Sequence, residues 1–376
     1  MNTSVSVENP LKKLARFGQS IWLDYIRRSL ITSGELRKLI EQDGLAGMTS
    51  NPSIFEKAIV DGQEYADFLA ELRKDASLDA KGIYERIAIR DIQDAAEALK
   101  PVYLSTNGHD GYVSLEVSPL LANETQATIE EARRLWNTVQ RPNIMIKVPG
   151  TTAGLPAIET LLTEGININI TLLFARQRYE EVAEAYLRAL EARAKAGLHL
   201  PQMASVASFF VSRIDTNVDA RIDALLDSAD PARRALLESC RSKVAIANAK
   251  QAYESFHRIF AGPRWEALAS KGARVQRLLW ASTSTKNPKL SDVLYVEQLI
   301  GKDTVNTIPP ATMDAFRDHG EVRPTLEQGL AEADTVMKNL AAAGISIDQV
   351  TAELLDQGVK LFADALGKLL HAVRAA

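Results

Sequence analysis

The chain has 376 residues, 46% of them apolar and 24% charged, with a formal net charge of −4 and a single cysteine. That balance fits a globular protein long enough for two domains or one large α/β barrel with additions, and no basic block points to nucleic acid. Cys240 excludes an intrachain disulfide and suits a reducing cytoplasm, residues 1–20 lack the apolar core of a leader, and no apolar run is long enough to span a bilayer.

In chain order, strand and helix signals alternate. The first strand is expected at Ser20–Ile26, SIWLDYI. Thr32 and Glu35 have the spacing of a capping box, and Gly44 closes that helical segment. A second strand covers Leu45–Ser50, before Asn51-Pro52, and a helical pattern follows from Ile54 to Val102. The Asn107-Gly108 turn leads into a third strand, Gly111–Ser118. Helical residues 123–139 precede the fourth, Asn143–Thr151, NIMIKVPGT. A helix at Ala153–Glu164 ends on Gly165, a fifth strand takes Ile166–Leu173, and a long helix takes Phe174–Ala196. The sixth strand is Met203–Val211, residues 214–260 read as two or more helices, the seventh strand is Arg277–Thr283 and the eighth Thr304–Pro309. Residues 311–376 read as helical to the end.

Eight strands separated by helices predict an α/β fold, a (β/α)8 TIM barrel with extra helices at the N-terminus, after strands two and six, and at the C-terminus. A doubly wound open sheet is the alternative, but neither G-x-G-x-x-G nor G-x-x-x-x-G-K-[ST] occurs. The chain is expected to be one domain, 1–376, with a barrel core at about 20–310 and a helical extension at 311–376.

Several strands alternate. Val113, Leu115 and Val117 alternate with Ser114, Glu116 and Ser118; Ile166, Ile168, Ile170 and Leu172 alternate with Asn167, Asn169 and Thr171. Parallel strands are usually apolar on both faces, so one polar face under flanking helices must point into a barrel. A half-solvated antiparallel sheet also alternates, but the intervening helices speak against it. The inward set is Asp24, Asn51, Glu116, Lys147, Asn169, Thr171, Ser208 and Ser282, from seven strands. Lys147 is the residue to explain. Burial between apolar layers disfavours its charged form and would leave an amine able to attack a carbonyl. A lysine at a strand end can also snorkel to water or pair with a carboxylate. Singly, Asp24 could be an ion-pair partner, Glu116 a strand bridge and Asn51 a turn cap. One buried lysine with two carboxylates at similar strand depth suits Schiff-base chemistry.

The motifs IWLDYI, GMTSNPSIF, VSLEVSP, IMIKVPGT, NINITLLF, SFFVSRID and WASTSTKN, in that order over roughly residues 20–310, resemble the transaldolase family, in its longer bacterial branch. The resemblance implies a class I, aldolase-type barrel that moves a dihydroxyacetone unit between sugar phosphates in the non-oxidative pentose phosphate pathway. It implies Lys147 as the Schiff-base lysine, Asp24 as acid/base at the C4 hydroxyl of the donor, and Glu116 with Thr171 holding the catalytic water. Asn51 and Asn169 would contact the dihydroxyacetone unit, with Thr49 on the same wall. Ser208, Phe210, Arg213, Ser282 and Lys286 complete the expected substrate site, Arg213 and the 282–286 loop taking phosphate. One departure stands out. Many members have A-S-F-R-N after the seventh strand, whereas this chain has Ala281 to Asn287 as ASTSTKN, two residues longer and with a lysine in the arginine's place. Lysine binds phosphate as a point charge and not as a fork.

No metal or organic cofactor is expected, because the iminium is itself the electron sink and no H-E-x-x-H or Cys/His cluster occurs. Sugar phosphates are the expected partners, with no nucleic acid or membrane; the enzyme would be cytoplasmic, and a monomer or homodimer. Three rivals stand beside this reading. A fructose-6-phosphate aldolase would release the dihydroxyacetone, but such proteins are much shorter and typically carry glutamine where Glu116 stands. A deoxyribose-phosphate lysine aldolase lacks the Asp24 and Asn51 motifs. A non-catalytic barrel would bind sugar phosphates without turning them over.

Overall fold

The computed structural model describes residues 9–375; the first eight residues of the segment weighed as a leader, and Ala376, lie outside them. Eight parallel strands close on themselves in sequence order: β1 (Gln19–Asp24), β2 (Gly47–Thr49), β3 (Tyr112–Glu116), β4 (Ile144–Pro149), β5 (Ile168–Leu173), β6 (Ser205–Phe210), β7 (Arg277–Ala281) and β8 (Thr304–Ile308). β8 pairs back to β1, so no edge remains open. This is the expected (β/α)8 barrel. Its additional helices fall where they were expected: at Pro10–Leu14, at Pro52–Asp61 and Ala80–Ser105 after β2, in a group from Ser212 to Ala269 after β6, and at the C-terminus.

The strands order themselves by their two faces. Leu23, Leu115, Ile146, Ile168, Ile170 and Phe209 are all buried and face the helix layer, where apolar area leaves water. Their alternates turn inward. Inside, Trp22 lies in register with Gly47, and a Cβ at Gly47 would come within 2.5 Å of the indole. Only glycine admits that ring. Lower still, Arg277 pairs with Asp110 at 2.9 Å, and Asp110 also accepts from Trp22 and Ser20. This buried network closes the N-terminal end, opposite the end where such barrels keep their chemistry.

Four expectations need correction. Thr32 does not cap a helix. It ends the helix Arg28–Thr32, donating to the Arg28 carbonyl, and Gly34, with left-handed φ of 81°, stands between it and the helix Glu35–Lys38. Gly44 does close the segment, at φ 72°. The alternation of strand five breaks after Ile170. The pairing with β6 shifts there and Leu172 takes φ of 59°, so its side chain turns to the C-terminal helix. In β7, Leu279 pairs with Ser208 and Ala281 with Phe210, so strand parity alone sends Ser282 outward. A left-handed φ of 55° at Ser282 brings it back to the cavity. Residues 311–376 are not helical throughout, because Gly320, Pro324 and Gly329 interrupt them before the helices Leu330–Ala342 and Ile347–Ala375.

The last of these helices positions the site. It packs against the helices Pro52–Asp61, Ala80–Ser105 and Ser212–Leu226 and against β5, which lays it across the C-terminal mouth of the barrel. Arg73 fastens its end by donating to the Val373 carbonyl at 2.7 Å.

Candidate active site

Under that helix is a cavity of about 290 Å³, bordered by Asp24, Thr49, Asn51, Lys147, Ser208, Phe210, Arg213, Ser282, Lys286 and Phe362. Parallel register sets its floor. Glu116, Lys147 and Asn169 are consecutive partners across β3, β4 and β5, and Asp24 is the partner of Thr49 across β1 and β2. In-register residues of neighbouring parallel strands point to one side, so each row is delivered as a unit.

Lys147 is 4% exposed. Its Nζ donates to the Ser50 carbonyl at 3.1 Å and lies 3.5 Å from Glu116 Oε2, an ion-pair distance but too long for a good hydrogen bond. Burial pushes the Glu116 carboxyl up to about 7, against the pull of Lys147. Neither Glu116 oxygen, nor Thr171 Oγ1, has a hydrogen-bond partner among the described residues, although all three are buried. Buried polar atoms in such a state invite a bridging water. Asp24 accepts from Thr49 at 2.7 Å, and Thr49 in turn meets Thr307 at 2.8 Å. Burial raises the Asp24 carboxyl above its ordinary value, partly offset by Lys147, the Thr49 hydroxyl and Arg213.

Asn51 fills both roles open to it. Its Oδ1 accepts from the Ile54 N–H at 3.0 Å and caps the helix Pro52–Asp61, while the residue also borders the cavity, which fixes the amide's rotamer. Asn169 is fully buried beside Lys147, its register partner. It donates to Ser114 at 3.0 Å and accepts from Ser208 at 2.6 Å, and it does not border the cavity; nor do Glu116 and Thr171.

The rim is cationic. Arg213 stacks over Phe210 at 5.6 Å and makes no hydrogen bond or ion pair among the described residues. Lys286 donates to Ser284 at 2.8 Å, and Ser282 meets Ser212 at 3.0 Å. Burial lowers the Lys286 ammonium, and so do Arg213 and Lys57. Among the described residues Arg213, Lys286 and Lys57 make no ion pair with a carboxylate, Asp24 acting on Arg213 only beyond ion-pair distance, and such a cluster makes a site for a polyanion.

The family model described as transaldolase/fructose-6-phosphate aldolase matches residues 21–373. The chain is 50% identical to transaldolase 2 of Nostoc sp. over 97% of each chain, and 48% identical to the transaldolase of Trichodesmium erythraeum over 98% of this chain and 97% of that one. It is 47% identical to the transaldolase of Thiobacillus denitrificans over 96% of this chain and 99% of that one. The chain belongs to the transaldolase/fructose-6-phosphate aldolase family.

In this transaldolase-family barrel, Lys57, Phe362 and Thr307 are cavity residues that the sequence reading did not name. Lys57 stands six residues after Asn51 on a helix that reads as an ordinary amphipathic surface, and only the fold turns it to the rim. Phe362 belongs to a C-terminal segment with no motif of its own. Thr307 also borders the cavity, as the inward residue of TVNTI in β8.

Arg213, Lys286 and Lys57 supply a testable gradient. Losing a charge-assisted bond costs roughly 1.5–3 kcal/mol. Arg213→Ala and Lys286→Ala are each expected to raise KM for phosphorylated substrates about ten-fold or more. Lys57→Ala, on a flexible exposed stem, is expected to cost about three-fold. Turnover of unphosphorylated fructose or glyceraldehyde should barely move. An equal loss on both substrate classes would show that a residue supports the loop and not the anion.

Proposed function

We propose that this barrel transfers a dihydroxyacetone unit from a ketose phosphate, such as sedoheptulose 7-phosphate, to glyceraldehyde 3-phosphate through a Schiff base on Lys147. The products are erythrose 4-phosphate and fructose 6-phosphate. This is the transaldolase reaction of the pentose phosphate pathway, and the curated relatives at 47–50% identity carry that name. The observation that carries the reading is the buried Lys147 amine 3.5 Å from Glu116, whose carboxyl burial pushes up to about 7.

The steps follow from these positions. Lys147, as the free amine, attacks C2 of the donor, forming a C–N bond and leaving the former carbonyl oxygen as a hydroxyl. Glu116 protonates that hydroxyl, directly or through a water shared with Thr171, and water departs to leave an iminium. A carboxyl near 7 both gives and takes a proton at neutral pH. Asp24 takes the proton of the C4 hydroxyl, the C3–C4 electrons move into the iminium, and the aldose phosphate leaves. The enamine then attacks the acceptor aldehyde, Asp24 returns its proton to the new alkoxide, and water releases the product from Lys147. Thr49 fixes Asp24 for this exchange, and Ser208 and Ser114 hold Asn169 behind Lys147. Arg213, Lys286, Ser282 and Lys57 hold the phosphate, and Asn51 holds the dihydroxyacetone hydroxyls.

No helix among the described residues is long and apolar enough to cross a membrane. The C-terminal extension belongs to the same functional unit as the barrel, since its last helix borders the site through Phe362. The iminium formed on Lys147 is the electron sink, so the proposed chemistry calls on no further cofactor.

A coupled assay tests the reading. Sedoheptulose 7-phosphate and glyceraldehyde 3-phosphate together should yield fructose 6-phosphate, and omission of the acceptor should abolish most turnover. Free dihydroxyacetone appearing at full rate without acceptor would mark an aldolase instead, and binding without turnover would mark a silent barrel.

A further inference from the structure

The C-terminal helix Ile347–Ala375 presents three residues at four-residue spacing to the barrel mouth: Gly358, Phe362 and Leu366. Gly358 is keyed to β5, since a Cβ there would lie 2.8 Å from a methyl of Leu172, the strand residue with left-handed φ. Phe362 is 3% exposed, and its ring centroid lies 5.9 Å from Lys147 Nζ. Leu366, equally buried, borders a small pocket behind Glu116. One stripe therefore roofs the nitrogen on which the proposed intermediate forms, and at its centre is a side chain with no proton to give and no hydrogen bond to make.

After the aldose leaves, the enamine on Lys147 has two fates. In transfer, C3 attacks the acceptor aldehyde. In release, C3 takes a proton, water adds to C2 of the resulting iminium, the C2–N bond breaks, and dihydroxyacetone leaves with Lys147 restored as the amine. The two fates part at C3: release needs solvent to deliver a proton to C3 before the acceptor arrives, whereas transfer gives C3 to an aldehyde held by the rim cations, and water adds at C2 only afterwards in both. A closed apolar cover delays the first and not the second. We propose that Phe362 is a specificity-determining residue: its ring shields the Lys147 intermediate from water and so sets the partition between transfer and release. The inference rests on the dihydroxyacetone-transfer reading above.

The test compares the full-length enzyme with Phe362→Ala and Phe362→Leu, using fructose 6-phosphate as donor and erythrose 4-phosphate as acceptor. The readout is free dihydroxyacetone formed per sedoheptulose 7-phosphate formed. Both products come from one intermediate, so a general loss of stability or of active protein cancels in the ratio. Phe362→Ala is expected to raise it about ten-fold, a relative barrier change of ~1.4 kcal/mol. Phe362→Leu, which keeps most of the bulk, should stay near wild type. Borohydride should still trap the Lys147 adduct in both variants. A folded Phe362→Ala with intact trapping and an unchanged ratio overturns the role of Phe362 and leaves the transfer reading standing. Absence of any trapped adduct in the wild type overturns the transfer reading and this inference with it. Should Phe362→Ala show no thermal transition, Phe362→Val is judged by the same ratio.

Discussion

Incubation with fructose 6-phosphate followed by borohydride is expected to fix a three-carbon adduct on Lys147 and on no other lysine. Reduction converts the imine to a secondary amine that trypsin does not cleave. The label should therefore appear on a peptide running from Leu135 to Arg176, within which Lys147 is the one lysine. Lys147→Arg is expected to lose activity by roughly 10⁴-fold or more, the scale of removing a covalent nucleophile. Arginine is the right probe because it separates charge from chemistry. A guanidinium stays protonated and cannot form the imine, yet it can keep the ion pair with Glu116. Truncation to alanine would instead strand a buried carboxylate, and breaking a buried pair commonly costs 3–5 kcal/mol. Label on another lysine, or near-normal transfer by Lys147→Arg, would end the Schiff-base assignment.

Much of this site could be read from the chain because its chemistry sits on regular strands. Parity on β3, β4 and β5 put Glu116, Lys147 and Asn169 on one face, and parallel pairing then aligned them. Parity failed where the backbone leaves the regular strand. Leu172 and Ser282 both take left-handed φ, which carries no clear mark in side chains that ordinarily avoid it. The Thr32 reading failed for a related reason: Gly34 reverses the chain inside what looked like a capping box. Lys57 and Phe362 were hidden differently. A lysine on an exposed helix face and a phenylalanine on an amphipathic helix are what any helix carries, and only tertiary packing gives them an address. The rim cations were partly legible: Arg213 and Lys286 follow strand ends, where barrels bind anions, while Lys57 comes from a helix packed beside them.

The two carboxylates are expected to fail at different steps, and the trapped species will tell them apart. Asp24→Ala should still form the imine, because Glu116 and Lys147 are intact, but C3–C4 cleavage should slow roughly 10²–10⁴-fold, the usual contribution of a general base. Borohydride should then capture the whole six-carbon ketose phosphate on Lys147 in place of the three-carbon unit. Glu116→Gln should slow imine formation itself and favour release of free dihydroxyacetone over transfer, since glutamine cannot exchange protons with the bound water. Its pH dependence gives the sharper test. Burial raises Glu116 from 4.5 to about 7, so its protonated form dominates below that pH and is lost above it. Wild-type imine formation, followed by single-turnover trapping, should therefore lose its acid-assisted component as pH rises through about 7. Glu116→Gln has no such group and should lack that alkaline limb at its lower rate. If Glu116→Gln keeps the limb, another group supplies the proton, and if Asp24→Ala traps only the three-carbon adduct at a normal rate, Asp24 is not the base that breaks the carbon–carbon bond.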